Sequence, residues 1–266
     1  MYDRYNRKIN YLRISVTDRC NLRCIYCMPP EGVPMLSHDD ILRYDEILEV
    51  VKYAVGKGVN KIRITGGEPL VRKGIVELVT LIAQIPGVRD LGMTTNGIYL
   101  DRFAVLLKKA GLHRVNVSMD TTDPDKYHEI TRGGDIKKVF EGIEKAREVG
   151  LRPIKLNCVI EKSSKEHHAV LVRNFARDNG LQVRFIHLMD LETGYFRQVE
   201  GGQGGDCAKC NRLRLTSDGY IKPCLFSPKS YSVRELGPAE AIRLALENKP
   251  LCGGKHPEGS FSNIGG

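Results

Sequence analysis

Six stretches in which apolar and polar residues alternate, each followed by residues of helical or turn character, constrain this chain more than any other feature. The alternating stretches are residues 12–17, 61–65, 90–95, 114–119, 154–160 and 182–187. Helical periods fall at 45–55, 75–85, 101–110, 137–149 and 166–179. Gly111, Gly150 and Gly180 follow three of these, where a left-handed helix terminus is expected. A repeated strand–helix order favours parallel strands, because each crossover returns the chain to the same end of the sheet. The expected class is α/β, with a parallel sheet closed or partly closed as a barrel. At 266 residues the chain suffices for one such domain with a small appendage. The composition shifts near Asp190: Gly201, Gly202, Gly204 and Gly205 mark a loop, and a cysteine-bearing segment follows. The expected division is therefore 1–189 and 190–266.

The alternation also assigns faces. Leu12, Ile14, Ile62, Ile64, Val115, Val117, Leu156, Cys158 and Ile160 fall on the apolar side, which must meet the helices. Arg13, Lys61, Arg63, Arg114, Asn116, Lys155, Asn157 and Arg184 fall on the other. A closed eight-stranded barrel fills its interior with branched apolar residues. An interior of cations implies a cavity instead, and the cost of burying unpaired cations calls for an anionic ligand. Internal salt bridging behind a wet surface is the competing explanation. The net charge of +9 also asks for an anionic partner: a nucleotide, a nucleic acid or a membrane surface.

The eight cysteines are clustered. Cys20, Cys24 and Cys27 form a C-x3-C-x2-C group just beyond the first strand. Three thiolates on one short loop suit a cubic iron–sulfur cluster with one iron left open. A structural zinc site normally closes with four ligands, and the nearest histidine, His38, lies beyond a Pro-Pro-Glu-Gly stretch. Cys207, Cys210 and Cys224 form a second group. For this one, spacing leaves zinc and iron–sulfur both open: Cys252 would complete four thiolates, and His256 three thiolates with an imidazole. Cys158 reads as a buried core thiol. Cysteines used this way suit a reducing compartment, and the cytoplasm is expected. No apolar run reaches the roughly 18 residues of a membrane span. After the second strand, Gly66 and Gly67 let backbone approach a ligand closely, and Glu68 is placed to bind a cation or an amino group. Such loops at strand C-termini are where barrel sites form.

With Cys20, Cys24 and Cys27 after the first strand and Gly66-Gly67-Glu68-Pro69 after the second, the chain resembles the radical S-adenosylmethionine (SAM) superfamily. The resemblance narrows to the GTP 3′,8-cyclase family through four stretches: residues 12–20, 61–65, 94–97 and 184–186. It is carried further by Cys207-x2-Cys210-Asn211-Arg212-Leu213-Arg214, by Pro223-Cys224-Leu225-Phe226 and by the terminal Ile264-Gly265-Gly266. It implies a partial (β/α)6 barrel with a small C-terminal auxiliary iron–sulfur module, two [4Fe-4S] clusters and SAM as cofactor. Cys20, Cys24 and Cys27 would hold the first cluster, and Cys207, Cys210 and Cys224 the second. Tyr26, Gly66, Gly67, Glu68, Ser118 and Met189 would contact SAM. Arg13, Lys61, Arg63, Thr94, Lys155, Arg184, Arg212 and Arg214 would contact GTP. The implied reaction is GTP cyclisation at the start of molybdenum cofactor biosynthesis. A deoxyadenosyl radical takes the ribose C3′ hydrogen, and C3′ then bonds C8. Arg212, Arg214, Gly265 and Gly266 are expected to act in catalysis, with the tail entering the site. An electron-donating redox protein is the implied partner, with no nucleic acid and no membrane, and with a monomer or homodimer as the state.

Two departures from the family pattern stand out. Between Met189 and Cys207 the family carries a longer segment of strand and helix, and here the connection is short and glycine-rich. His187 also stands where a Glu is usual. The short connection could open the cavity or redirect substrate choice, which keeps a radical SAM paralogue acting on a peptide as the rival enzyme reading. A zinc-stapled nucleic-acid-binding protein is the non-enzyme reading, and it leaves the first cysteine group unexplained.

Overall fold

The structure, a computed structural model, describes residues 1–256 and Ile264. Strands β1 (Tyr11–Ser15), β2 (Lys61–Thr65), β3 (Asp90–Thr95), β4 (Arg114–Ser118), β5 (Lys155–Ile160) and β6 (Gln182–His187) pair in parallel, each with the next. Between them run α1 (Tyr44–Gly56), α2 (Ile75–Ala83), α3 (Leu100–Lys109), α4 (Pro124–Thr131), α5 (Ile136–Glu148) and α6 (His167–Asp178). The periodic segments of the sequence are all present, with ends displaced by a residue or two. Helix α4 was not anticipated, because at eight residues it is too short for a clear apolar period. Its signal was local: Asp123 caps it by accepting from the Lys126 amide at 2.8 Å, and Pro124 opens its first turn.

The apolar faces meet the helices as the alternation required. Leu12, Ile14, Ile62, Ile64, Val115, Val117, Leu156 and Cys158 join Ile47, Val51, Leu78, Ile82, Leu107 and Val139 in one buried core. Beyond β6 the chain does not leave the sheet. Strand β7 (Arg212–Leu215) pairs in parallel with the free side of β1, and β8 (Tyr220–Lys222) and β9 (Tyr231–Ser232) follow antiparallel. The strand order is β6-β5-β4-β3-β2-β1-β7-β8-β9, an open sheet with β6 and β9 at its edges. Helix α7 (Val233–Glu247), kinked at Gly237 (φ 74°) before Pro238, packs on α1 and the last strands. Among the described residues no helix is long and apolar enough to cross a membrane.

The short connection after β6 folds back on that edge. The amide of Phe185 donates to Glu200 O at 3.1 Å, and that of Glu200 donates to Phe185 O at 3.0 Å. His187 Nε2 lies 3.6 Å from Glu200 Oε1. The expected opening of the cavity on this side is not what the chain shows: residues 199–204 form part of its wall.

Ile62 lies in the middle of the sheet with its side chain fully buried. Truncation to Ala leaves a void there, and Ile62→Ala is expected to cost about 2–5 kcal/mol of folding stability. Chemical denaturation of the apoprotein measures it; a change below about 1 kcal/mol would contradict the packing described.

Candidate active site

The first cysteine loop is held by the glycine loop beside it. The Gly67 amide donates to Thr17 O at 2.7 Å, and the Glu68 amide to Arg19 O at 2.8 Å. A Cβ on Gly67 would stand 2.3 Å from Arg19 O, so only glycine permits this crossing. The chain just before Cys20 is thereby fixed against the end of β2. Cys20, Cys24 and Cys27 line one cavity of about 200 Å³ with Tyr26, Gly66, Gly67, Ser118 and Met189. These are the SAM-contacting positions that the resemblance named, apart from Glu68. Glu68 is buried and faces neither cavity. Its Oε1 accepts from the Leu70 amide (3.0 Å) and the Thr95 hydroxyl (2.8 Å), and its Oε2 from the Asn96 amide (2.6 Å). Burial pushes its carboxyl up to about 7 against these donors. Its place is thus that of a clamp between the ends of β2 and β3.

Tyr26 donates its hydroxyl to Asp120 Oδ2 at 2.7 Å, and Asp120 Oδ1 accepts from the Val159 amide at 2.7 Å. The aromatic ring is thereby fixed across the cavity, and burial, with Asp120 beside it, drives its phenol well up. Burial also pushes the thiol of Cys20 up to about 11 and that of Cys24 up to about 12. A thiolate here therefore needs a positive partner, which a metal cluster supplies.

The polar face of the sheet forms a second, larger cavity of about 540 Å³. Register builds it in rows. Arg214, Arg13 and Arg63 stand side by side on β7, β1 and β2, followed by Gly92 on β3. The Gly92 Cβ position lies 3.0 Å from Arg63 Cζ, so glycine here leaves room for the guanidinium. The next row is Arg212, Tyr11, Lys61 and Asp90. Lys155, Arg184 and Arg114 join the wall, with Thr94 and Asn157. Of the expected GTP contacts all line this cavity except Arg214, which lies behind it, buried beside Arg13 and Arg212.

Asp90 is the single carboxylate among the described residues that line this cavity. It takes Arg114 at 2.6 Å and Lys61 at 3.3 Å, leaving Arg63, Lys155, Arg184 and Arg212 with no carboxylate on the wall. Buried Nε atoms of Arg63, Arg184 and Arg212, and the Oδ1 atoms of Asn116 and Asn157, have no hydrogen-bond partner among the described residues. Burial, then Arg214, lowers Arg13 to about 9, which still leaves it cationic at neutral pH. The sequence reading missed Tyr11 as a cavity residue. Period two had marked it, since it lies two positions before Arg13. Burial alone would push its phenol up, but Arg63, Arg13 and Arg212 outweigh that and bring it down to about 8.

The second cysteine group lies beside the β7 row. Cys207 and Cys210 share a tight turn (Cys210 N to Cys207 O, 3.2 Å). Cys224 packs against a small apolar cluster of Leu191, Leu225, Phe226 and Ile264. Lys249, only 2% exposed, donates to Arg212 O at 2.7 Å and to Pro223 O at 2.5 Å and lies against Cys210. Burial pushes the Cys210 thiol up, but the Lys249 ammonium, the Arg212 amide and the Arg212 guanidinium together outweigh it and hold the thiol below its usual range. Among the described residues no three Cys, His, Asp or Glu side chains converge as ligands of one ion would. A cubic cluster assigns one thiolate to each iron, so its ligands need only face a shared volume. The first group does so; of the second, Cys207 and Cys210 share one turn, with the Lys249 ammonium against Cys210. Gly265 and Gly266 lie outside the described residues.

The radical SAM superfamily model matches residues 14–173. A relative named GTP 3′,8-cyclase from Petrotoga mobilis is 39% identical over 323 residues, covering 100% of both chains. Another of that name from Alkaliphilus oremlandii is 45% identical over 269 residues, covering 85% of this chain and 84% of its own. Among solved structures, Streptococcus suis SuiB bound to S-adenosylmethionine is 16% identical with a TM-score of 0.65, covering 93% of this chain and 66% of its own. anSMEcpe with bound AdoMet is 18% identical with a TM-score of 0.67, covering 90% of this chain and 78% of its own. These two share the fold. The cysteine loop, the cationic cavity and the sequence relatives together establish that the chain belongs to the radical SAM superfamily and, within it, to the GTP 3′,8-cyclase family.

Proposed function

We propose that this chain is a GTP 3′,8-cyclase. It converts GTP to (8S)-3′,8-cyclo-7,8-dihydroguanosine 5′-triphosphate, the first step toward molybdenum cofactor. The observation that carries this reading is the contact of the two cavities: Thr94, Asn157 and Ile186 line both. A [4Fe-4S] cluster on Cys20, Cys24 and Cys27 supplies, when bound, the electron for reductive cleavage of SAM. A second cluster is assigned to Cys207, Cys210 and Cys224. Everything else falls to side chains.

Tyr26, Gly66, Gly67, Ser118 and Met189 bind SAM, and the apolar wall of Leu22, Met28, Ile186 and Leu188 excludes water from a reactive radical. Arg13, Arg63, Lys155, Arg184 and Arg212 hold the triphosphate, whose charge replaces the missing carboxylates. Arginine forks suit phosphate oxygens and fix orientation as well as charge. With the triphosphate among these cations, the ribose faces Thr94 and Asn157, where the cavities meet. There C3′ gives its hydrogen to the deoxyadenosyl carbon and bonds C8 of the base. Reduction of the cyclised base needs one electron and one proton, and an electron-donating redox protein is the proposed source of electrons. Arg214, behind Arg13 and Arg212, positions that row. The activity is tested by anaerobic incubation with GTP, SAM and dithionite, with the nucleotide product identified by mass spectrometry. SAM cleavage without a cyclised nucleotide would point to another substrate.

Cys20→Ala is expected to abolish 5′-deoxyadenosine formation while iron at the second cysteine group remains. Iron analysis with chromatography of the nucleoside decides it, and undiminished 5′-deoxyadenosine would remove the assignment.

Arg212→Ala should weaken GTP binding about tenfold or more, since a charge-assisted contact contributes roughly 1.5–3 kcal/mol, and Arg214→Ala, which removes only a positioning neighbour, should weaken it less. SAM binding should stay within about twofold of the parent, as screened charges one cavity away contribute little. Calorimetric titration of both ligands measures this, and equal losses for the two would indicate a folding defect.

Tyr11 gives the cavity a pH dependence. Its phenol ionises near 8 in the free protein, and a bound polyanion favours the neutral form. Affinity for inorganic tripolyphosphate should therefore hold steady up to about pH 8 and fall as the pH rises through it. Tyr11→Phe should remove the part of that fall centred near pH 8, leaving the decline that Arg13 brings near 9. A parent profile flat to pH 10, the ordinary phenol range, would contradict it.

A further inference from the structure

Charge on the wall of the larger cavity is one-sided, and its one acidic group is already engaged. Arg114 takes Asp90 through both carboxylate oxygens: Nε donates to Oδ1 at 2.6 Å and Nη2 to Oδ2 at 2.6 Å. Lys61 Nζ lies 3.3 Å from Oδ2. Burial pushes this carboxyl up, but Arg114 and Lys61 outweigh it and hold it below the usual range, so it stays ionised and paired. The other side-chain oxygens on the wall, those of Tyr11, Thr94, Asn116, Asn157 and Gln203, are neutral. The cations meanwhile crowd one another. Burial, then Arg184, Arg114 and Arg63, lowers Lys155. Burial, then Arg63, lowers Arg184. A magnesium ion on a nucleotide is held by one or two carboxylates together with the phosphates. Among the described residues this wall offers it no uncommitted carboxylate, and its cations repel it.

We propose that this cavity takes its triphosphate ligand free of divalent cation, with Arg63, Lys155, Arg184 and Arg212 neutralising the phosphates as magnesium does in kinase and ATPase sites. Magnesium then withdraws ligand from the protein instead of delivering it. Attraction to the wall scales with the charge of the ligand. A magnesium ion on the phosphates cancels two of their negative charges and occupies oxygens that the arginine forks would otherwise take. The competing arrangement is a magnesium ion held by phosphate oxygens and water alone and carried in with the nucleotide. It would set a further cation among the four and leave them a less charged ligand. The cavity thus selects the uncomplexed polyphosphate from a mixed pool, and free magnesium sets how much of it the protein meets. The inference rests on the reading of this cavity as a triphosphate site, as proposed above, and does not depend on which base the nucleotide carries.

The test is anaerobic calorimetric titration of the reconstituted full chain with GTP and, separately, with inorganic tripolyphosphate, over a series of magnesium chloride concentrations. Neutral pH keeps Tyr11 below the range where it ionises. Sodium chloride holds the ionic strength constant, because screening alone weakens charged contacts. Once magnesium exceeds the level that complexes half of the free ligand, each further tenfold rise should weaken the apparent affinity about tenfold, since only the uncomplexed fraction binds. SAM, which carries no phosphate, should bind equally well across the series. Asp90→Asn should bind tripolyphosphate several-fold more tightly in magnesium-free buffer, because Arg114 and Lys61 are released to it. Affinity that stays level or rises with magnesium would overturn the proposal. So would weaker tripolyphosphate binding by Asp90→Asn with an unchanged unfolding transition, since the carboxylate would then serve the ligand. Should that variant fail to fold, the magnesium series on the parent still decides. A failure of the GTP reading leaves a different record: GTP would bind no more tightly than tripolyphosphate, while magnesium still weakened both.

Discussion

Cations set side by side on one face of a parallel sheet are the constraint from which the rest of this structure follows. Parallel register places Arg214, Arg13 and Arg63 in one row, and no helix or apolar layer can be packed over such a row without large cost. The sheet therefore stays open, with its polar face around a cavity. The main apolar core is moved to the other face, where the helices supply it. Even the glycine at position 92 belongs to this arrangement, since a side chain there would compete with Arg63 for space. The row also explains why β7 returns to β1 rather than to the β6 edge. Joining there completes a cationic surface that β1 and β2 alone would leave open on one side.

The two cavities make different demands, and the strand ends divide them. At the C-terminal ends of β1 to β3, backbone does most of the work. Gly67 lets the chain before Cys20 pass at contact distance, and Glu68 spends both carboxylate oxygens on holding the ends of β2 and β3 together. Deeper along the strands, charged side chains supply the chemistry, and backbone serves only to set register. Thr94 and Asn157, short and uncharged, sit at the boundary. A reaction in which a radical from one ligand takes a hydrogen atom from a carbon of another needs such a boundary, with neither charge nor bulk between the two. The geometry is of use only if both ligands are held at once, because proximity then converts two encounters into one complex.

The six strands of the main sheet were legible because their alternation is strict and one face is strongly charged. The residues that line the two cavities were legible through resemblance, and for Arg13, Lys61, Arg63, Lys155 and Arg184 through face assignment as well. Helix α4 was hidden by its length, although Asp123 and Pro124 marked its start. The fate of β7 was not legible, since Arg212 to Leu215 alternates like any short strand and nothing in its composition names its partner. Glu68 shows a different limit. A carboxylate after two glycines at a strand end suggests a ligand contact, and only the structure shows the Leu70 and Asn96 amides and the Thr95 hydroxyl that occupy it. Tyr11 and Asp90 were overlooked for want of a partner in sequence: their importance lies in cations on other strands.

The connection after β6 shows how a short glycine-rich loop serves a sheet edge. An exposed edge strand invites pairing, and a shorter connection would be expected to bare both the edge and the cavity beneath it. Instead, Glu200 pairs with Phe185, and Gly201, Gly202 and Gly204 carry the chain over Arg184 and Arg212. Gly201 takes φ 75°, and a Cβ there would meet Val183 O at 2.6 Å, so the turn needs glycine. Arg212 in turn donates to Gln203 O at 2.9 Å, which fastens the loop to the cationic wall it covers. Fewer residues thus perform two tasks, blunting the edge and walling the cavity. They do so with backbone rather than side chains, which leaves recognition of whatever enters to the strands beneath.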